Sequence, residues 1–333
     1  MLSLLKELTS LPGVSGDEVR AHSFLKERLS SIGRIETTPL GSLLCYLPCE
    51  KENAPTIMLE AHTDRIGFSV REIREDGYLA LSRCGGIDIR GVLGSEVILT
   101  NDKGSFRGII CSLNANTEKK LPVPVDELFA DMRMTKEQLK ENIKIGDRLY
   151  LPGNFHTLLN GNVSASALDD RAGCAAIIRA GELLKDFKKA NIVLCFSSQE
   201  EVGGVGASTA ASIINPDYAV AVDVSFATTP LEDKNETFPL GTGILIGYGP
   251  TISKSFSNLM VETAKENNIP YAEEVMGGST GTDADSILSS GSGAVTALLS
   301  IGQRYMHTPV EVINSEDAEN TALLISKVVE KLI

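Results

Sequence analysis

The sequence predicts an α/β protein in which a mainly parallel or mixed sheet flanked by helices is interrupted by an inserted, barrel-like β domain. Three observations predict this. After Ser164, apolar strand-like runs alternate with helical runs, the pattern of a largely parallel sheet covered on both faces. One such unit also precedes residue 67. Between about 67 and 155 the helical spacing gives way to short β-rich runs separated by turn signals. The boundaries follow from where the character changes: 1–66 and 157–333 form the α/β domain, and 67–156 form the insert. A chain of 333 residues, 42% of them hydrophobic, can bury two cores.

Taken in order, the stretch from Ser15 places Ser15 three residues before Glu18, a capping-box spacing. Val19, Phe24, Leu25 and Leu29 then recur at helical intervals, and Gly33 is placed to end that helix. TIMLEA (56–61) reads as a short buried strand. EDG (75–77), GG (85–86) and NDKG (101–104) mark hairpin turns of the insert, and a short helix starts at Thr135 with Gln138 at the capping-box position. Beyond Ser164 come a helix (169–187), the strand NIVLCFSS (191–198), a Gly/Ala-rich helix and the strand YAVAVDVS (218–225). A helix over 253–267, the strand AVTALLSIG (294–302) and a closing helix (315–333) follow. GTGILIGYG (241–249) and GGVG (203–206) lack the G-x-G-x-x-G spacing after a strand, so they read as turns and tight packing, not nucleotide loops.

Composition excludes several classes. The net charge is −13 and no Lys/Arg block stands out, so no nucleic-acid partner is expected. No apolar run approaches the roughly 20 residues needed to cross a bilayer, so no membrane partner is expected either. MLSLLKELTSLPG reads as an amphipathic helix rather than a signal peptide. The six scattered cysteines suggest a reducing compartment, hence a cytoplasmic protein.

The chemistry concentrates at strand ends. His62 and Asp64 follow TIMLEA, Glu200 and Glu201 follow NIVLCFSS, Asp223 lies at the end of YAVAV, and His307 follows AVTALLS. Open parallel sheets bind ligands outside the carboxyl ends of their strands, so these groups should meet at one rim. Asp169, opening a helix, can reach it too. Singly, each has a bland reading: an H-x-D by chance, Glu-Glu as a solvated turn, Asp169-Asp170 as a helix cap. Their coincidence carries the weight, together with Asp223, a carboxylate inside an apolar strand that would be costly without a partner. His22 and His156 fall away from the rim and are expected to have no special role. Two His and several carboxylates suit Zn²⁺, Co²⁺ or Mn²⁺. A bridging carboxylate would give a two-metal site for amide hydrolysis, with one of Glu200 and Glu201 left free as a base.

HTD-x-IGF (62–68), ALDDRAGC (167–174), SSQEEVGGVGA (197–207), VDVS (222–225), GTDAD (281–285) and RYMHTP (304–309) resemble the tetrahedral (TET-type) aminopeptidase family. That family includes glutamyl and deblocking aminopeptidases and members labelled endoglucanase or cellulase. The resemblance covers essentially the whole chain. It implies that His62, Asp169 and Asp223 bind one divalent ion, and that Asp169 bridges to a second ion also held by Glu201 and His307. Glu200 would be the general base and Asp64 the carboxylate that orients His62. It implies a cis peptide after Asp169, a dimerisation role for the insert, and dimers that assemble into a dodecamer. The substrates would be peptides with a free N-terminus. One position departs: where the family usually has Glu after the H-x-D Asp, this chain has Arg65, so local electrostatics or substrate preference should differ. The competing class is an endoglucanase-type glycoside hydrolase, which the absence of Trp and 5% aromatic content disfavour. A catalytically dead assembly protein is a third reading, against which Glu200 argues.

Overall fold

A computed structural model of the chain describes residues 1–112, 124–230 and 237–333. The first segment runs α1 (Leu2–Thr9), α2 (Val19–Leu29), β1 (Arg34–Thr37), β2 (Leu43–Tyr46) and β3 (Thr56–His62). The middle segment comprises β4 (Gly67–Ile73), β5 (Leu79–Cys84), β6 (Glu96–Asn101), β7 (Gly104–Ser112), β8 (Leu128–Asp131), α3 (Lys136–Asn142) and β9 (Arg148–Tyr150). Then follow β10 (His156–Thr157), β11 (Asn162–Ala165), α4 (Leu168–Leu184), β12 (Asn191–Ser197), α5 (Val205–Ile214) and β13 (Tyr218–Phe226). The last stretch holds β14 (Ile244–Tyr248), α6 (Lys254–Glu266), β15 (Tyr271–Val275), α7 (Asp283–Leu288), β16 (Val295–Arg304), β17 (Glu311–Asn314) and α8 (Ser315–Leu332).

The large sheet is mixed. Its centre, β12-β3-β13-β16, is parallel, while β2, β17, β11 and β14 join antiparallel toward the edges. The central strands are apolar on both sides because both faces are covered. Alternation sorts them: Ile57, Leu59, Val220 and Val222 pack toward α1, α4, α6 and α8. Met58, Val193, Ala219 and Ala221 pack toward the small residues of α5 and α7. The six strands β4-β5-β8-β7-β6-β9 close into a barrel filled by its own core of Phe68, Val70, Leu79, Leu81, Val97 and Leu99 among others.

Two local expectations are corrected. Ser15 does not cap α2; its hydroxyl donates to Asp64 Oδ2 at 2.6 Å, and Glu18 accepts from the Gly16 and Gln199 amides instead. Long-range carboxylate partners thus override a local cap. The segment over 241–249 contains a strand, β14, because ILIGY pairs with β15 on one side and β16 on the other. The Thr135–Gln138 capping box forms with both reciprocal bonds. His156 lies on the short strand β10, not in a loop, and is exposed.

Candidate metal centre

The parallel strands place their carboxyl ends at one rim, and the seven rim residues read from the sequence lie there. His62 is the last residue of β3, in register with Ser197 of β12. Two residues on, Gln199 takes a left-handed conformation (φ 61°), turning the chain into a single 3-10 turn that carries Glu200 and Glu201. Asp223 sits within β13 rather than at its end, opposite Ser300 of β16. His307 comes from the loop between β16 and β17. Asp169 lies at the start of α4, where the backbone is not yet helical and the Asp169–Asp170 peptide is cis.

Asp169 is the hub. Its Oδ1 lies 3.1 Å from His62 Nε2, and its Oδ2 lies 3.3 Å from His307 Nε2. Glu201 Oε2 is 3.4 Å from His307 Nε2, and Asp223 Oδ1 is 4.0 Å from His62 Nε2. Donor atoms of His62, Asp169 and Asp223 all fall within 4.8 Å of one another, and so do those of Asp169, Glu201 and His307. Two triads therefore share one carboxylate. Glu200 belongs to neither; its Oε2 stands 4.0 Å from His62 Nε2 and it lines the same cavity.

Asp64 stands behind the triads, fully buried. Its carboxylate accepts the backbone N–H groups of Glu200 (3.0 Å) and Glu201 (3.2 Å) as well as the Ser15 hydroxyl. His62 Nδ1 is 3.2 Å from the Asp64 backbone oxygen and 3.5 Å from its Oδ1. The residue thus fixes both the His62 ring and the Glu200–Glu201 turn. The barrel also reaches the site, since the Gly86 carbonyl after β5 lies 2.9 Å from His307 Nδ1. A Cβ at Gly86 would approach that ring to 2.8 Å, so only glycine fits.

Sequence reading passed over three buried carboxylates here. Glu311, opening β17, accepts the N–H groups of Leu168 (2.7 Å), Asp169 and His307 (both 3.2 Å), tying two donor-bearing segments together. Glu60 and Asp283 share the Ser197 hydroxyl. The signal for Glu311 was the one used for Asp223, an acid in an apolar strand (VEVIN). His22, expected to do nothing, is buried with Nε2 2.6 Å from Thr63 Oγ1, one residue behind His62.

The electrostatics describe a cluster short of positive charge. Burial pushes Glu201 and Asp223 well above the usual carboxylate range and Glu200 up to about 7. Burial opposes protonation of the two histidines, yet carboxylate neighbours prevail. His62 rises well above its ordinary value through Asp169 and Asp64, and His307 rises to about 9 through Asp169 and Glu201. Asp169 itself is held low by both rings, against its burial. Glu201 Oε1, moreover, is buried without a hydrogen-bond partner. Crowded carboxylates with an orphaned oxygen and two imidazoles are the donor set that divalent cations neutralise, so the residues fit two such ions.

The family model described as M42 glutamyl aminopeptidase matches residues 41–324. The chain is similar to a lysyl aminopeptidase of Pyrococcus furiosus, 31% identical across 99% of this chain and 96% of that protein. Among solved structures it resembles a TET aminopeptidase from a marine-sediment thaumarchaeon (TM-score 0.92, 28% identity, 99% and 96% of the two chains). It also resembles the Pyrococcus horikoshii TET1 peptidase, described as able to assemble into a tetrahedron or a large octahedral shell (TM-score 0.87, 29% identity, 98% of each chain). With a family match over most of its length and relatives that align end to end, the chain belongs to the M42 glutamyl aminopeptidase family.

Proposed function

We propose that the protein is a dinuclear, metal-dependent aminopeptidase that removes N-terminal residues from peptides with Glu200 as general base. The observation that carries this is the pair of donor triads sharing Asp169, with the non-ligand carboxylate Glu200 beside them in one cavity of about 550 Å³. His62, Asp169 and Asp223 would hold one ion, and Asp169, Glu201 and His307 the other, with zinc or cobalt favoured and manganese suited to the same donors. Such ions, when bound, polarise a scissile carbonyl and acidify the water between them.

Glu200 supplies the proton transfers. It takes a proton from the attacking water and returns it to the leaving amine, a role suited to a group whose burial lifts it to about 7. Asp64 is a positioning residue, since its carboxylate holds the amides that present Glu200 and Glu201 and its peptide oxygen steers His62. The α/β unit, 1–66 with 157–333, is the catalytic domain. The barrel unit, 67–156, serves dimerisation, and the dimers assemble to a dodecamer in the cytoplasm. Assemblies of the P. horikoshii relative support self-association. The relatives' names give opposite guidance on the residue removed, glutamyl in one and lysyl in the other.

The test is hydrolysis of a broad panel of aminoacyl anilides by protein loaded with Zn²⁺ or Co²⁺. No turnover on any of them, with metal shown bound, would overturn the reading. A glycoside hydrolase, as some relatives are labelled, needs two carboxylates flanking a sugar bond about 5–10 Å apart and would not require a double metal triad. Chelation separates them, because a two-carboxylate glycosidase survives EDTA.

A further inference from the structure

The same cavity is lined by a carboxylate that the proposed mechanism does not use. Glu274, on β15, lines the cavity with Val224, Phe226, Met276, Leu298 and Met306. The Ser225 hydroxyl donates to its Oε1, and the Ser300 hydroxyl also faces this carboxyl. Burial raises its pKa, offset in part by the Ser225 and Ser300 hydroxyls. No Lys or Arg lines the cavity among the described residues. The cavity therefore pairs apolar wall residues with a carboxylate and no cation of its own.

We infer that Glu274 determines specificity, selecting peptides whose N-terminal residue carries a cationic side chain, lysine or arginine. This rests on the aminopeptidase reading and deepens it. Two features recognise such a side chain. Val224, Met276, Leu298 and Met306 offer apolar surface to its methylene stem, which long cationic side chains bury readily. Glu274 then gives the charged tip a counter-ion. An acidic N-terminal side chain meets the reverse situation, a like charge with no cation in the wall. An aliphatic one fills the walls but leaves the carboxylate without a cationic partner, a loss that polar sites use to reject analogues lacking a donor. Glu274 is thus at odds with the acidic preference in the family's description.

The experiment compares p-nitroanilides of lysine, arginine, norleucine and glutamate on the metal-loaded protein and on Glu274→Gln. For the native protein, kcat/KM for lysine and arginine should exceed that for norleucine at least tenfold, with glutamate lowest. In Glu274→Gln the lysine-to-norleucine ratio should fall at least tenfold, mainly through KM. Competition on the native protein gives a reading that needs no variant, since L-lysine should inhibit more strongly than L-norleucine. A native protein that prefers norleucine or glutamate, or a variant that loses both substrates in equal proportion, overturns the specificity and leaves the aminopeptidase standing. Failure on all four substrates removes the aminopeptidase reading, and this inference with it.

Discussion

Glu311→Gln tests whether the two metal triads are held in posture by a residue that would touch neither metal. Glu311 is 1% exposed and accepts three backbone N–H groups, two from Leu168 and Asp169 and one from His307. Glutamine keeps the shape but supplies a single acceptor oxygen. Its better orientation leaves that oxygen on the Leu168–Asp169 pair and turns an amide donor onto the His307 N–H. One charge-assisted bond is lost, about 1.5–3 kcal/mol, and two become neutral. Burial and the Asp169 charge raise Glu311 to about 8, so the chelated protein at pH 7 already carries it largely protonated, and the substitution should cost little there. Metal loading favours the ionised form, so the loss should appear on loading. Partners of this kind typically cost 10–100-fold in metal affinity, about 1.4–2.7 kcal/mol. With an unfolding entropy of about 2.1 cal/mol/K per residue, the whole chain gains roughly 0.7 kcal/mol/K. The melting temperature of the loaded variant should then drop about 2–4 °C further than that of the chelated one. Metal titration by calorimetry, paired with melting curves with and without chelator, provides the assay. An affinity within twofold of the native protein, or equal destabilisation of both forms, would refute the reasoning.

Glu200→Gln should lower kcat by roughly 10²–10⁴ while retaining its metal, as measured by elemental analysis of the dialysed variant; retained activity would remove Glu200 from the chemistry. Metal affinity should rise with pH. His62 and His307 are raised above their ordinary values, His307 to about 9, and Glu201 is raised with them, so at neutral pH an incoming ion must displace protons. The sign reverses for folding of the metal-free protein: stabilisation from the raised His307 is complete below its unfolded value near 6.5 and is lost as pH climbs through about 9. Titrations from pH 6 to 9 should therefore show progressive tightening, and a flat profile would contradict the protonated cluster. EDTA should abolish peptide hydrolysis and readdition of Zn²⁺ or Co²⁺ should restore it. Light scattering should give a mass several times that of the chain, with a dodecamer as the expected limit; a monomer would rule out the assembly.

Much of this architecture was legible because its determinants are local or periodic. The apolar runs at 56–61, 191–198 and 218–225 had to be buried on both faces, and the rim followed from their polarity. The capping box at Thr135 was legible because its partners lie three residues apart. The Ser15 box was not, since its hydroxyl finds Asp64, 49 positions away, and no local spacing encodes that bond. The turn reading of 241–249 failed for a related reason. Glycines flank an apolar ILIGY whose strand conformation is decided by β15 and β16, each remote in sequence. At the site, residues in motifs could be named, while Glu311 and Glu274 act through backbone amides and cavity shape that only packing brings together.

Arg65 shows how packing changes the meaning of a residue read from a motif. Standing where relatives usually carry Glu, it was expected to alter electrostatics or substrate preference. Its side chain is 1% exposed and does not line the cavity. The guanidinium donates to the carbonyls of Leu11 and Leu151 and to the Ser166 hydroxyl, and stacks 5.1 Å from the Tyr150 ring. It therefore ties the segment after α1 and the end of the barrel to the approach of α4, which carries Asp169. Burial lowers its pKa only to about 10, so it stays charged at neutral pH, opposed by Arg171 and favoured by Glu311 and Glu201. A buried cation beside Glu311 supports the ionised form that accepts the Asp169 and His307 amides. Electrostatic influence thus passes from Arg65 through Glu311 to the candidate metal donors, while the substrate preference inferred above rests on Glu274.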